Sequence, residues 1–261
     1  MSADAWTLST HEFRLLWEEF DAGDYPIEFA YTGQDDVDRG PDAAQAPSIR
    51  LDQLTPPQRA ALSALCRPSI TIAVTGIDAA RPFEDPKHHL RLLSATDDNE
   101  HVYIARQRLG SSVSLGATVS ITRHAFSSWT RDLVAMIPPG TEVGSLPADT
   151  AVGFQAIPGV ESMTIPVVVA PATPTAATAF THPHPGVCGS IRLQVGTLAN
   201  GGRPTSLEVR YRDIPDDGRY LLIVDSPGAA LPIDATRFAK TLNRVINTIR
   251  ARHDTARGAA S

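Results

Sequence analysis

Histidine, cysteine and carboxylate side chains are the groups whose spacing could support chemistry in this 261-residue chain. His182, His184 and Cys188 lie within seven residues of one another and are ligand types that Zn²⁺ accepts. Their spacing matches no standard zinc motif, the neighbouring prolines restrict both histidines, and a fourth ligand is missing. We therefore expect a polar loop with incidental histidines here, and no metal or other cofactor.

Nucleophilic catalysis would require a serine or cysteine on a strained turn or beside a base. The sequence has no Gly-x-Ser-x-Gly motif. Cys66 ends a predicted helix on its apolar side and Cys188 precedes a predicted strand, so both fit small core residues better. Glycine-rich and Walker-type phosphate loops are also absent from the sequence. The sequence thus predicts no catalytic residue.

Paired carboxylates have a simpler interpretation than acid–base catalysis. Asp97-Asp98 and Asp216-Asp217 fall at the tips of predicted hairpins, where aspartate favours turns. Asp35, Asp36 and Asp38 fall in the stretch 32–48, which has almost nothing to bury. We expect that stretch to be a mobile, solvated loop and not a metal site.

The remaining candidate is a surface on two predicted strands, Ser190–Val195 and Leu207–Arg212. Their alternation places five polar side chains on the face opposite the apolar residues of the same strands: Arg192, Gln194, Glu208, Arg210 and Arg212. A sheet that is covered by helices on one face can bind a partner on the other. A face that is merely solvated is an equally open interpretation.

These strands belong to a unit that occurs twice. A hairpin over 207–224 leads to a helix that begins near Asp234, and a similar hairpin over 90–105 overlays it without a gap. A strand precedes each hairpin, and apolar residues at 126, 133 and 137 have the spacing of those at 238, 245 and 249. The repeat predicts an α+β protein with a pseudo-two-fold arrangement of two related β-β-β-α halves.

Capping and turn residues predict the other elements. The capping box from Ser9 to Glu12 and the pair Thr55-Pro56 each predict the start of a helix. Further expectations are a strand over 27–31, a helix from Thr122 through Ile137, a short helix over 146–157, a loop over 170–185 and a frayed tail from about His253.

Composition excludes several classes of partner. The chain is 42% hydrophobic and 20% charged, which is ordinary for a soluble globular protein. Its formal net charge of −6 argues against nucleic acid or an anionic membrane as the main partner. Two cysteines, no signal-peptide pattern over 1–6 and no long apolar run predict a cytoplasmic protein.

Several stretches taken in order resemble the EspG family, which comprises ESX (type VII) secretion-associated proteins of actinobacteria. They are Leu8–Trp17, Leu62–Pro68 directly before a strand, the hairpin Leu90–Ala105, and Asp216–Tyr220 followed by the Pro-x-Asp start of the last helix. The resemblance covers most of the chain apart from 32–48 and 160–187. The resemblance rests on the order and spacing of these stretches, since no single motif is diagnostic.

The resemblance implies one EspG-like domain over 1–261 with a central antiparallel sheet flanked by helical bundles. Its halves would span roughly 1–140 and 188–252, joined by a Pro/Ala/Thr-rich linker over 141–187. It further implies a cytosolic chaperone, not an enzyme. Such a chaperone binds the helical tip of the PPE protein in a PE–PPE heterodimer, or another ESX substrate, and keeps it soluble for export.

By position, the resemblance makes the polar strand residues and the polar face of the last helix candidates for partner binding. They are Arg192, Gln194, Glu208, Arg210, Arg212 and Arg219, whose arginines would form a charged rim that steers an acidic partner. Two alternatives stay open: a hydrolase-like enzyme with its site in the cleft between the halves, and a non-catalytic regulatory homodimer.

Overall fold

Strands dominate the computed structural model, which describes residues 5–38, 51–97, 100–140, 142–145, 147, 150–157, 160–170, 186–196, 204–223 and 228–258. The strands of the first half are β1 (Trp6–Ser9), β2 (Thr32–Gly33), β3 (Ile70–Asp78), β4 (His89–Thr96), β5 (His101–Leu109) and β6 (Leu115–Ala125). Those that follow are β7 (Thr150–Ile157), β8 (Val160–Ala170), β9 (Val187–Val195), β10 (Thr205–Ile214), β11 (Gly218–Ile223) and β12 (Gly228–Pro232).

The helices are α1 (Thr10–Glu19), α2 (Gln34–Asp38), α3 (Pro56–Cys66), α4 (Trp129–Met136) and α5 (Ala235–Gly258). The predicted capping box of α1 is confirmed, because Ser9 and Glu12 exchange hydrogen bonds of 2.7 and 3.1 Å between backbone and side chain. Helix α3 begins directly after Thr55, as predicted. No helix within the described residues combines the length and apolar character needed to cross a membrane.

The described strands form one sheet in the order β1-β6-β5-β4-β3-β9-β10-β11-β12-β7-β8, with β2 also paired to β6. All pairings along this path are antiparallel. The first strands of the two meanders, β3 and β9, pair over nine positions from Ile70↔Val195 to Asp78↔Val187. The predicted α+β class with an antiparallel sheet is therefore confirmed. The strand order is the one that a two-fold relation would produce, and that relation itself stays a prediction.

Helices cover one face of the sheet across both halves, and the opposite face only in the first half. On one face, α4 and α5 bury Trp129, Leu133, Phe238 and Leu242 against strands of both halves. On the other face, α1 and α3 cover β1 and β3 to β6, through a core to which β9 and β10 contribute no residue. This second face of β9 and β10 is therefore outside both cores.

The predicted strand over 27–31 is wrong. The backbone instead turns at Pro26, whose carbonyl accepts a hydrogen bond from the Phe29 amide, and Phe29 is buried while Ile27 is 76% exposed. Side chains of the sheet bond its backbone instead: the Gln107 amide bonds both the N–H and the carbonyl of Ala30, and Arg91 donates to the Glu28 carbonyl.

Two predicted helices lie in strands. Thr122 belongs to β6, which pairs with β5 from His101↔Ala125 to Leu109↔Gly116, so the helix begins only at Trp129. The stretch 146–157 contains β7, which pairs with β8 and β12. Tertiary pairing overrides local capping signals in both places. The predicted linker over 141–187 therefore contributes two strands to the sheet.

The expectation of a loop over 32–48 is wrong for its first part, because 32–38 forms β2 and α2. The Asp36 carboxylate lies 2.6 Å from His11 Nδ1 and accepts a 2.8 Å hydrogen bond from the Gly33 amide. The frayed tail is also wrong, since α5 continues to Gly258 and His253 is buried. Residues 39–48 and 171–185 lie outside the described residues.

Candidate partner-binding face

The predicted polar side chains of β9 and β10 share one face of the sheet. Glu208 is the cross-strand partner of Arg192, Ser206 that of Gln194, and Arg212 that of Cys188. Cross-strand partners point to the same side, and the intervening apolar residues are buried on the other. The predicted alternation is confirmed. We call the surface formed by Arg192, Gln194, Glu208, Arg210 and Arg212 the polar face.

Internal contacts fix several of these side chains. The Glu208 carboxylate accepts hydrogen bonds from the Ser190 hydroxyl at 3.0 Å and from Arg210 Nε at 2.6 Å. Arg192 pairs with the carboxylate of Glu28, a buried residue of the turn after Pro26. Side chains that are held before a partner arrives lose less conformational entropy when it binds.

Arg212 lies opposite Cys188, at one end of the polar face. It is half-buried beside Cys188, and burial lowers the pKa of its guanidinium.

The prediction of an exposed charged rim fails at Arg219. This residue is only 5% exposed, and its Nε donates to the Asp213 carboxylate at 2.6 Å while its other end donates to the Pro138 carbonyl at 2.8 Å. Its charge is thus compensated inside the molecule. It follows the β10–β11 turn, where strand alternation alone does not indicate burial.

A groove runs beside the polar face, between β9 and the segment from Asp21 to Glu28. It has a volume of about 720 Å³, and Arg192 and Gln194 form one wall. Its floor is apolar and comprises Trp17, Leu65, Cys66, Ala73 and Leu93. A second cavity of about 280 Å³ adjoins it and reaches Ser190 and Glu208.

Sequence reasoning missed the residues of this groove that come from the first half. Glu28 and Ile27 fall in the stretch that was predicted as a strand, and Ile27 lines both cavities. The only signal in the sequence was Glu28, a single glutamate among apolar and aromatic residues. A carboxylate in such a context is often buried, and it then needs a partner.

Neither cysteine thiol is an activated nucleophile. Burial raises the pKa of the Cys66 thiol to about 12, and burial also raises the pKa of the Cys188 thiol. Both thiols are therefore protonated near neutral pH. Within the described part of the chain, no three histidine, cysteine or carboxylate residues cluster as a metal site would require. His182 and His184 lie outside that part.

Comparison with known protein families gives a match over most of the chain. A family model described as the EspG family matches residues 9–244 of the 261. No match among curated proteins was found. The matched range includes every residue of the polar face and of the groove.

Proposed function

The chain belongs to the EspG family, and from that premise we propose that it is a cytosolic chaperone for a PE–PPE heterodimer or another ESX substrate. Membership of the family implies a secretion chaperone associated with an ESX system. The finer proposal is that the protein binds the helical tip of the PPE subunit and keeps it soluble for type VII export. The observation that carries the proposal is the family match over residues 9–244.

The polar face and the groove supply what such a chaperone needs. The apolar floor around Trp17, Leu65 and Leu93 can receive apolar side chains of a client, which water would otherwise contact. Arg192 forms a wall of the groove, and Glu208, which Arg210 contacts, lines the adjoining cavity, so these charges can discriminate between clients. A buried apolar centre with a polar rim is the usual anatomy of a protein interface. We propose the five residues of the polar face as client contacts.

The proposal includes no catalysis and places the protein in the cytoplasm of an actinobacterium. The alternative of a hydrolase-like enzyme in the cleft between the halves receives no support from the Cys66 thiol of the groove, which is protonated. A regulatory homodimer makes a separate prediction, namely that the protein alone elutes as a dimer and binds no ESX substrate.

The test is co-expression with each PE–PPE pair, or other ESX substrate, of the same host. We expect one pair to elute with this protein as a stable complex in size-exclusion chromatography, and to aggregate without it. If the folded protein forms a complex with none of them, the proposal falls.

The double variant Arg210→Glu/Arg212→Glu locates the interface. It should weaken client binding by about tenfold or more, because it reverses two charges of the polar face. Arg106→Glu/Arg108→Glu is the matched control, since these exposed arginines are also two residues apart on one strand. Circular dichroism must first verify that both variants are folded, because Arg212 is half-buried. Equal client affinity of the two variants would remove the polar face from the proposal.

A further inference from the structure

A pocket separate from the groove and its adjoining cavity opens at the far side of the first half. It lies between β1, β5, β6 and the first turn of α3. Its volume is about 360 Å³, and its walls are formed mainly by Trp6, Ala61, Tyr103 and Ile121. Strands β4 and β3 separate it from the polar face in the sheet order. A mostly apolar pocket of this size is typical of small-molecule sites, which measure about 300–1,000 Å³. We call it the β1–α3 pocket.

Among the described residues that line this pocket, one is a cation. Arg123 is exposed and lies directly opposite Tyr103 in the β5–β6 pair. It donates a hydrogen bond to Nε2 of His101, which must be the acceptor because a guanidinium has only donors. A guanidinium carries five N–H groups in a planar fork, so this contact leaves donors for a further acceptor at the pocket.

The start of α3 adds only the potential of its aligned peptide groups, because Pro56 and Pro57 have no amide hydrogen and Thr55 and Gln58 cap the first turn. The N-cap residue Thr55 and the first-turn residues Pro57 and Gln58 line the pocket. The N-terminal end of a helix carries a partial positive charge and favours a nearby anion. No aspartate or glutamate is among the described residues that line it, although the whole chain has a net charge of −6. The groove, in contrast, is lined by Asp21, Asp24 and Glu28.

From these observations we infer that the β1–α3 pocket binds a small organic carboxylate with an aromatic or branched aliphatic body. The body occupies the apolar space between Trp6, Tyr103 and Ile121, where its burial is favourable. The carboxylate lies at the mouth, where it accepts hydrogen bonds from Arg123 and faces the start of α3. This site is independent of the proposed client interface.

The test is isothermal titration of the full-length protein with phenylacetate and with phenylacetamide, which has nearly the same shape and no charge. We expect phenylacetate to bind about tenfold more tightly, because only the carboxylate forms charge-assisted hydrogen bonds. Equal binding of the two compounds, or no binding of phenylacetate, would overturn the inference. Tighter binding of the peptide Ala-Ala-Phe than of phenylacetate would also overturn it, in favour of a peptide C-terminus.

Two variants test the residues. Arg123→Gln should weaken phenylacetate binding about tenfold, whereas Arg108→Gln, an exposed arginine of β5, should leave it unchanged. Ala61→Leu should block the pocket, since this wall residue is 2% exposed and the added atoms would fill the space. If Ala61→Leu does not fold, the comparison of Arg123→Gln with Arg108→Gln still tests the inference. Unchanged phenylacetate affinity in Arg123→Gln contradicts the inference.

Discussion

At the scale of single residues, the ion pair between Glu28 and Arg192 links the two halves of the chain. Strand alternation predicts the direction of Arg192, because its neighbours Ile191 and Leu193 must be buried. Its partner is 164 residues earlier in the sequence, in a segment with no regular structure. Sequence patterns report local periodicity, and a contact of this kind has none. The burial of Arg219 rests partly on another distant contact, with the Pro138 carbonyl 81 residues earlier, although its ion-pair partner Asp213 lies in the same hairpin.

The pair should be asymmetric in its effect on stability. Glu28 is 8% exposed, whereas the Arg192 side chain is 43% exposed. Arg192→Ala leaves a buried carboxylate without its partner and should lower the free energy of unfolding by about 2 kcal/mol. Glu28→Gln leaves a guanidinium that water can solvate and should cost about 1 kcal/mol.

Urea unfolding at neutral pH measures both changes. Arg108→Ala is the control, because removal of an exposed arginine should change stability by no more than about 0.5 kcal/mol. A larger loss in Glu28→Gln than in Arg192→Ala would contradict the asymmetry.

At the scale of elements, the sequence predicts best where local and tertiary preferences agree. Helices α1 and α3 have a cap, an apolar face and a core to cover, and their starts are where the sequence predicts them. Thr122 and the stretch 146–157 also carry helix-start signals, but sheet pairing decides there. Pairing partners from other parts of the chain cannot be read from a local pattern. The polar face could be predicted because strand alternation is a local pattern. The groove could not be predicted, because its walls come from segments that are distant in the sequence.

The β10–β11 turn illustrates how elements are joined by a single carboxylate. Asp217 accepts hydrogen bonds from the Tyr220 hydroxyl at 2.5 Å and from the Ser145 amide at 2.8 Å, which ties the segment 142–145 to the turn. Burial alone would raise the pKa of this carboxyl. The hydrogen bonds from Tyr220 and Ser145 outweigh burial, so its pKa lies below the usual value.

A group with a lowered pKa stabilises the fold above its unfolded pKa, and that contribution is lost as the pH falls through the folded pKa. Asp217→Asn should therefore cost about 1 kcal/mol at neutral pH, and the difference from the parent protein should shrink below about pH 4. Urea unfolding over a pH series measures this difference in the free energy of unfolding.

Asp216→Asn is the matched control for this prediction. Asp216 is the exposed neighbour in the same turn, and asparagine tolerates its φ of 60°. A constant cost of Asp217→Asn from neutral to acid pH would show that the charge of the carboxylate has no role.

At the scale of the whole molecule, one core spans both halves. Residues of β3, β4 and β5 share it with residues of β9, β10 and α5, among them Val74, Ile191 and Phe238. The composition and the repeat predict two similar halves, and the shared core makes each dependent on the other. A fragment of 1–140 would expose the edge of β3 that β9 covers.

We therefore expect neither half to fold alone. Fragments 1–140 and 186–258 should each lack a cooperative thermal transition by circular dichroism, and their mixture should regain one. The second fragment extends past 252 because α5 continues to Gly258. A cooperative transition of 1–140 by itself would show that the halves are separate domains.

The pairing of β3 with β9 also has a consequence during protein synthesis. Strand β3 ends at Asp78 and β9 begins at Val187, so a ribosome that adds about 5–20 residues per second needs about 5–20 s to make the covering strand. Throughout this interval the nascent chain presents an open strand edge, which other chains can pair with. A slower ribosome lengthens the exposure, so the yield of folded protein should depend on the rate of translation between these two strands.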